Sequence, residues 1–331
     1  MCMAASFKSN NHFFGRNLDL EISFGEEVVV TPRRFPFRYR NGDVDEAHHA
    51  MIGMALVSDG YPLYFDATNE KGLSMAGLNF PDQTRYEEYS ENKVNITPFE
   101  FIPWILGKCE TTVQARELIK TMNLWNESFS KELQLSPLHW MISDRDSSIV
   151  VESTESGINI YDNPVGILTN CPPFPYHLQN LSNYMNLSAG LPENRFSKEL
   201  DLKAYSRGMG AIGLPGDLSS SSRFVKASFT KMNCLKGDTV EEDITQFFHI
   251  MDSVQQQKGC CDLGNGKYEY TIYTSCCDTD EGIYYYRTYD NSQINGVDMK
   301  HTDLDGEGLY KFPIVKGQHI NMINRYQMSI L

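Results

Sequence analysis

Short apolar runs dominate the first eighty residues of the chain and predict strands. Gly, Asn and Pro interrupt these runs at short intervals, which is typical of strands joined by tight turns. We therefore expect a meander of antiparallel strands in this part of the chain. The runs are "CMAASFK", "HFFGRNLD", "EEVVVTP", "MIGMALVSDG", "YPLYFDATNEKG" and "LSMAGLNF".

The apolar period then changes, and two successive helices are predicted. In "TPFEFIPWILGKC", Thr97 is a candidate N-cap, Pro98 fits the first helical position and Glu100 completes a capping box. The next segment, "TTVQARELIKTMN", begins with the related T-x-x-Q signature. Its apolar positions at helical spacing are Val113, Ala115, Leu118 and Ile119.

The remaining pattern predicts more strands, a third helix and a hairpin. Strands return as "LHWMISD", "SSIVVEST", "GINIYD" and "VGILTN", for which we expect a second sheet layer. The segment "DTVEEDITQFFHIMDSV" is typical of a helix because acidic residues crowd its first turn. Its apolar face consists of Ile244, Phe247, Phe248 and Met251. The segment "YEYTIYTSCCDTDEGIYYYRTYD" alternates around the turn "DTDEG" and predicts a β-hairpin.

The order of the predicted elements indicates the fold class. Strands and helices come in blocks rather than in strict alternation, which favours a layered α+β fold with antiparallel sheets covered by helices over a doubly wound α/β fold. The sequence contains neither an internal repeat nor a linker long enough to separate independent domains. We therefore expect residues 1–331 to form a single domain.

Composition and charge exclude several classes of function. Hydrophobic residues make up 41% of the 331 positions, enough for a sizeable core. The net charge of −14 argues against a nucleic-acid partner, because phosphate neutralisation needs clustered Lys and Arg. No apolar run reaches the length of about 18 residues that indicates a membrane span. The N-terminus also lacks the pattern of a secretory signal, and so we expect a cytoplasmic protein.

The eight cysteines do not form a metal-binding pattern. No C-x-x-C spacing occurs, and therefore we expect neither a structural zinc site nor any other metal or cofactor. Free thiols are the interpretation for most of these cysteines in a chain without a signal. The cysteines are Cys2, Cys109, Cys171, Cys234, Cys260, Cys261, Cys276 and Cys277.

Cys2 follows the initiator methionine directly, which is an unusual place for a reactive side chain. If Met1 is removed, residue 2 carries both a thiol and a free α-amine, a nucleophile with its own base. Arg16 could favour the thiolate, and Asp19 could hold the α-amine. Because side chains alternate along a strand, Arg16 and Asp19 share a face only if a bend or bulge intervenes. These residues alone leave open a purely structural Cys2.

Seven blocks spread over nearly the whole chain resemble the choloylglycine hydrolase family, which includes bile salt hydrolases and penicillin V acylases. The family belongs to the N-terminal nucleophile hydrolases. The resemblance therefore implies a four-layer α-β-β-α sandwich with antiparallel sheets. The blocks are "MC", "FGRNLD", "NEKGLSMAGLNFP", "LHWMISD", "GILTNCPPF", "GLPGDLSSSSRF" and "YTSCCDTDEGIYYYRTYDN".

The resemblance also implies roles for individual residues. Cys2 is the nucleophile, Arg16 its electrostatic neighbour and Asp19 the partner of the α-amine. Asn79 and Asn170 donate hydrogen bonds to the oxyanion of a tetrahedral intermediate. With a further cation at the site, the implied catalytic set is Cys2, Arg16, Asp19, Asn79, Asn170 and Arg223.

The activity implied by the resemblance is hydrolysis of the amide bond of a conjugated bile salt through a thioester on Cys2. Asn79 favours bile salts, because many penicillin V acylases carry Tyr at the matching position. Penicillin V, N-acyl homoserine lactones and other acyl amides remain alternative substrates, and a non-catalytic binding protein on the same scaffold is a more distant alternative. The positions expected to line the slot for the steroid are Leu18, Leu20, Phe65 and Ala67.

The resemblance extends to assembly, because members of the family are commonly homotetramers. The insertion-like segment "NLSAGLPENRFSKELDLKAYSRG" could supply contacts between subunits. The expected small-molecule partner is the acyl amide substrate. The sequence does not distinguish a preference for glycine conjugates from one for taurine conjugates.

Overall fold

Two large antiparallel sheets form the centre of the protein, seen in a computed structural model that describes residues 1–326. The strands are β1 (Cys2–Lys8), β2 (His12–Leu20), β3 (Glu27–Thr31), β4 (Phe37–Arg38), β5 (Val44–Asp45), β6 (Met51–Ser58), β7 (Tyr61–Asn69), β8 (Ser74–Asn79), β9 (Val94–Ile96), β10 (Met122–Leu124), β11 (Leu138–Ser143), β12 (Ser148–Thr154), β13 (Gly157–Asp162), β14 (Ile167–Leu168), β15 (Cys261–Gly264), β16 (Lys267–Asp278), β17 (Ile283–Thr288), β18 (Asn291–Asp298) and β19 (Tyr310–Pro313). The helices are α1 (Phe101–Lys108), α2 (Thr112–Ile119), α3 (Phe174–Asn180), α4 (Ser220–Asn233) and α5 (Val240–Asp252).

The sheets differ in which parts of the chain they use. The first sheet, called sheet A, has the order β14-β1-β2-β16-β17-β18, and β15 pairs with β16. The second, sheet B, has the order β13-β12-β11-β8-β7-β6-β3-β19. The N-terminal hairpin and the C-terminal hairpin thus lie side by side in sheet A, which brings residues from both ends of the sequence to one place.

Helices cover the outer faces of the two sheets. Helix α1 packs on β6, β7 and β8 of sheet B, whereas α4 and α5 pack on β1, β2, β14 and β16 of sheet A. The sheets face each other through contacts of β1 and β2 with β7 and β8. The predicted four-layer α-β-β-α fold is confirmed. Within residues 1–326, no helix is both long and apolar enough to cross a bilayer.

Two of the three helices expected from the sequence begin as predicted. Thr111 caps α2 by accepting a hydrogen bond from the Gln114 N–H. Thr239 and Glu242 form a complete capping box at α5. The predicted apolar face of α5 is buried: Ile244, Phe247, Phe248 and Met251. The C-terminal hairpin is also confirmed, since β16 and β17 pair with Asp278 opposite Ile283.

Helix α1 begins later than the sequence indicates. The structure starts it at Phe101 rather than beside Thr97: Glu100 accepts from the Thr97 N–H, as in the predicted capping box, and also from the Arg40 N–H, but the Thr97 hydroxyl caps no backbone N–H. The Glu100 carboxylate therefore closes a buried turn ahead of the helix instead of lying inside its first turn. Val113 was expected on the apolar face of α2, but it is 69% exposed. It lies two positions from Ala115, which faces the core, and residues two apart on a helix point in nearly opposite directions.

The strands divide between the sheets differently from the expected order of layers. The early strands β6, β7 and β8 form one sheet with the later strands β11, β12 and β13, whereas β1 and β2 join the C-terminal hairpin.

Two helices, α3 and α4, were not predicted. A serine N-cap, Ser219, starts α4 and accepts a hydrogen bond from the Ser222 N–H.

Candidate active site

Cys2 begins β1 and is buried in the core between the two sheets. Its side chain is 2% exposed, and β2 pairs Leu18 directly opposite it. Two positions further along each strand, Ala4 lies opposite Arg16. Because residues two apart on a strand share a face, the hairpin aligns the Cys2 and Arg16 side chains on the side of sheet A that faces sheet B.

Arg16 is a buried cation that joins the two sheets at this point. Its Nη1 donates to the carbonyl oxygens of Phe65 (2.9 Å) and Gly77 (2.6 Å) in sheet B, and its side chain is 1% exposed. Burial alone would lower the pKa of the guanidinium, but the neighbouring acidic groups of Cys2, Tyr273 and Asp66 together raise it. Arg16 therefore stays charged on the face of sheet A that also carries Cys2.

Asp19 lies on the other face of sheet A. Its Oδ1 accepts a hydrogen bond from Thr271 Oγ1 at 2.6 Å, and its Oδ2 lies 3.9 Å from Arg223 Nη1. The register shift near this point falls in β16, between Thr271 and Tyr273, so that β2 keeps its regular alternation. Burial raises the pKa of Asp19. Arg16 and Asp19 thus flank residue 2 from opposite faces instead of sharing one.

Met1 precedes Cys2 in this structure, so that the nitrogen of residue 2 is a peptide N–H rather than the expected free amine. Its amine donates to the main-chain carbonyl oxygen of Asp19 at 2.9 Å and forms an ion pair with Glu269. The Cys2 backbone N–H instead donates to Asn170 Oδ1 at 2.7 Å. In the chain that retains Met1, the nitrogen of residue 2 therefore bonds to the side chain of Asn170 and not to the Asp19 carboxylate.

Asn170 and Arg223 hold the backbone of residue 2 from the helix side. Arg223 Nη1 donates to the Cys2 carbonyl oxygen and its Nη2 donates to Asn170 Oδ1, both at 2.8 Å. Asn170 Nδ2 donates to the Asn79 carbonyl oxygen at 2.6 Å. Both ends of the Asn170 amide are thus occupied. Burial lowers the pKa of Arg223, which is 1% exposed, although the Asp19 carboxylate opposes the shift.

Asn79 differs from Asn170 because its side chain lies on a cavity. It ends β8, is half-buried and lines the same space as Cys2 and Arg16. Among residues 1–326, no hydrogen bond engages its side-chain amide. The Asn79 amide is therefore available to an atom of a bound molecule.

The cavity beside Cys2 is predominantly apolar and has a volume of about 270 Å³. Three of the four positions expected to bind substrate line it: Leu18, Leu20 and Phe65. Ala67 lies elsewhere, because it packs in the hydrophobic cluster that sheet B forms with α1, against Gly53 of the neighbouring strand. The expected position of Ala67 in the slot is therefore corrected.

Several cavity residues were missed by the sequence analysis. Other apolar side chains that line it are Phe24, Leu63, Phe99, Ile102, Phe129 and Leu138. Most come from irregular segments or from ends of elements, where apolar residues follow no period. The only signal was the presence of aromatic residues in otherwise polar segments such as "WNESFSKE".

A buried carboxylate beneath Arg16 was also missed. Asp66 of β7 accepts hydrogen bonds from the hydroxyls of Tyr273 (2.6 Å), Tyr284 (2.8 Å) and Ser275 (3.1 Å), all in sheet A. Burial raises its pKa, and Arg16 opposes the shift. Its partners lie more than two hundred positions away in the sequence, so that no local pattern could have indicated this link between the sheets.

The fold and these side chains define an enzyme with a buried N-terminal cysteine beside an apolar cavity. The family model of the linear amide C–N hydrolases, choloylglycine hydrolase family, matches residues 2–312, and the chain belongs to this family. It is accordingly a hydrolase of linear amide bonds, as the resemblance implied.

Similar proteins support this assignment over nearly the full length. A bile salt hydrolase/transferase of Lactiplantibacillus plantarum is 54% identical over 314 residues, covering 95% of this chain and 97% of the relative. A bile salt hydrolase/transferase of Clostridium perfringens is 38% identical over 98% of this chain and 100% of the relative.

Solved structures show the same fold. A variant of the conjugated bile acid hydrolase from Clostridium perfringens superposes with a TM-score of 0.91 at 36% identity, covering 98% of this chain and 100% of that one. The penicillin V acylase from Agrobacterium tumefaciens superposes with a TM-score of 0.75 at 19% identity, covering 96% of this chain and 92% of that one. The second likeness concerns the fold alone.

Proposed function

We propose that the protein hydrolyses the amide bond of conjugated bile salts, with Cys2 as nucleophile. The observation that carries the proposal is the position of Cys2: a buried thiol beside the charged Arg16, on an apolar cavity that Leu18 and Phe65 also line. The relatives reported above bear names of bile salt and conjugated bile acid hydrolases, which supports this substrate class.

The proposed reaction proceeds through a thioester. After Met1 is removed, the α-amine of Cys2 takes the thiol proton, and the thiolate sulfur attacks the amide carbonyl carbon. The tetrahedral intermediate collapses, the C–N bond breaks, and the leaving amine receives the proton. Water then hydrolyses the thioester and releases the acid. Every proton transfer uses the N-terminal amine, and therefore the cycle requires no other side-chain base.

The surrounding residues take complementary roles in this proposal. Asn79 donates to the oxyanion, because its amide faces the cavity. Asn170 accepts a hydrogen bond from the nitrogen of residue 2, and its amide N–H donates to the Asn79 carbonyl oxygen. Arg223 holds the carbonyl oxygen of Cys2 in place. The Asp19 carboxylate lies beside Arg223 on the face of sheet A that the helices cover, and balances its charge. Arg16 stabilises the thiolate.

Hydrolysis assays with glycocholate, taurocholate and penicillin V test the proposed substrate class. We expect the purified enzyme to release cholate from one or both bile salts at a kcat/KM well above that for penicillin V. Preferential hydrolysis of penicillin V or of an N-acyl homoserine lactone would instead assign another acyl amide. Absence of hydrolysis of all of these would support a binding protein and contradict the proposal.

We also propose that the enzyme is a cytoplasmic homotetramer. Support for the assembly comes from a run of exposed apolar side chains in and beside the insertion-like segment, with Met185, Phe196 and Tyr205 each more than 80% exposed. All eight cysteines lie in the described part of the chain as free thiols, which suits a reducing compartment. Cell fractionation tests the location.

A further inference from the structure

One wall of the cavity is an irregular segment that makes few hydrogen bonds to the rest of the protein. Residues 126–136, called the wall segment, contain no helix or strand. Five of these residues line the cavity: Phe129, Leu133, Gln134, Leu135 and Ser136. An acyl group bound beside Cys2 would therefore lie against the wall segment along much of its length.

Hydrogen bonds anchor the wall segment at its ends. The Asn126 N–H donates to the Glu87 carbonyl oxygen at 2.8 Å, and Tyr86 Oη donates to the Ser136 carbonyl oxygen at 2.8 Å. Between these ends most hydrogen bonds stay within the segment. For example, Gln134 Nε2 donates to the Lys131 carbonyl oxygen at 2.7 Å. The middle of the wall segment thus has few hydrogen bonds to the rest of the protein, although the Phe129 ring packs against Tyr61.

Arg40 supplies the external hydrogen bond at this middle point. Its Nη2 donates to the Phe129 carbonyl oxygen, and within residues 1–326 no other group outside the segment donates to or accepts from positions 128–135. The Arg40 guanidinium carbon also lies 5.5 Å from the centre of the Phe129 ring and 5.8 Å from that of Phe99. Both rings line the cavity, and they pack edge to face at 5.2 Å.

The backbone of Arg40 is itself fixed. Its N–H donates at 2.6 Å to Glu100, a fully buried carboxylate just before α1. The same carboxylate accepts a hydrogen bond from the Thr97 N–H at 3.0 Å. Arg40 therefore connects the turn before α1, which carries Phe99, to the wall segment, which carries Phe129.

We propose that Arg40 is a positioning residue for the acyl group: it holds the wall segment against the turn before α1 and so sets the affinity for a bulky apolar acyl chain. The inference rests on the proposed function, because it assumes that the acyl group occupies this cavity. A planar guanidinium can donate to the carbonyl and stack over both rings at once, which a compact ammonium group does less well. Arg40 does not touch Cys2, and the chemical step does not depend on it.

Arg40→Ala tests the proposal, with Arg38→Ala as the matched control. Arg38 is an exposed arginine two positions away, so the control removes the same charge and the same attraction for an anionic substrate. For glycocholate we expect Arg40→Ala to raise KM about fivefold, the loss typical of one cation–π and hydrogen-bond contact, with kcat little changed. Arg38→Ala should leave both constants near those of the wild type.

Limited trypsin digestion gives a readout that does not need substrate. Lys131 is exposed in the middle of the wall segment, and freeing the segment should expose its backbone to the protease. We expect cleavage after Lys131 to be at least about threefold faster in Arg40→Ala than in Arg38→Ala. Equal cleavage rates, or equal KM values in the two variants, would overturn the proposal. If the wild-type enzyme failed to hydrolyse any bile salt, the proposed function would fall, whereas cleavage at Lys131 would still decide whether Arg40 holds the segment.

Discussion

The amide of Asn170 meets residue 2 because three segments converge on one backbone unit. Asn170 follows β14, which pairs with β1, and Arg223 reaches the same point from α4. Each group is buried and fully hydrogen-bonded, so that the backbone of Cys2 has little freedom. At this scale the catalytic proposal depends on fixed geometry more than on any unusual residue type.

Replacement of Asn170 by Ala should therefore reduce catalysis without a comparable effect on substrate binding. We expect kcat and kcat/KM to fall together by about 10², with KM nearly unchanged, because Asn170 positions the backbone of the nucleophile and does not line the cavity. Steady-state kinetics on glycocholate measure the effect, and circular dichroism checks that the variant is folded. A raised KM at constant kcat would assign Asn170 to substrate positioning.

The buried side chain of His12 should make stability dependent on pH. Burial lowers the pKa of His12 to about 4, and its ring nitrogens contact Ser6 and Thr279. The unfolded chain binds a proton on His12 near pH 6.5, whereas the folded protein does not until about pH 4, so stability should fall as the pH drops through this window. We expect the free energy of unfolding to lose about 2 kcal/mol from this group between pH 7 and 5.

Urea unfolding of the wild type and of His12→Gln at both pH values measures this contribution. Carboxylates also titrate in this range, and the difference between the two proteins isolates the histidine. A loss of stability in His12→Gln as large as that in the wild type would show that another group is responsible.

At the scale of elements, the sequence predicted what is locally encoded. The Thr111 cap of α2, the buried apolar face of α5 and the short apolar strands near the N-terminus follow from side-chain chemistry within a few residues, and the structure confirms them. The predicted start of α1 beside Thr97 was wrong, because the Thr97 hydroxyl does not cap the helix. The Glu100 carboxylate also accepts from the Arg40 N–H, sixty positions away, and no local pattern indicates this contact. Likewise, the link between Asp66 and three hydroxyls of sheet A carries no local signal.

The cap of α5 allows a direct check at this scale. Thr239→Ala removes the acceptor for the Glu242 N–H and should lower the free energy of unfolding by about 1 kcal/mol. Thr245→Ala is the control. This exposed threonine lies inside the same helix, and its hydroxyl donates to the Glu241 carbonyl oxygen instead of capping a free N–H at the helix start. Urea unfolding of both variants compares them. Equal stability of the two would contradict the contribution assigned to the cap.

At the scale of the whole molecule, the fold and the family were predictable because the matching blocks span the chain. The positions of Cys2, Arg16, Asp19 and Asn170 around one backbone unit agree with the implied set in location. The roles of these residues remain proposals, as does the single domain over residues 1–331. The cavity wall was not predictable, because irregular segments such as 126–136 are shaped by distant contacts rather than by a repeating pattern.

The proposed homotetramer predicts a mass of four chains in solution. Light scattering coupled to size-exclusion chromatography measures it directly. Phe196→Asp should shift the population to smaller species, because Phe196 is 83% exposed in the insertion-like segment. Val113→Asp is the matched control, an exposed apolar residue on α2. A monomeric wild type would contradict the assembly, and equal masses for both variants would contradict the part assigned to the insertion-like segment.

Mass spectrometry of the acyl-enzyme tests the central claim, a thioester on an N-terminal Cys2. The enzyme is mixed with excess glycocholate, quenched in acid within the first turnovers and digested. We expect a cholyl adduct on the peptide that begins at Cys2, no Met1 on that peptide, and no adduct in Cys2→Ala, which should be folded and inactive. Full turnover by protein that retains Met1, an adduct on another residue, or wild-type rates in Cys2→Ala would contradict the account.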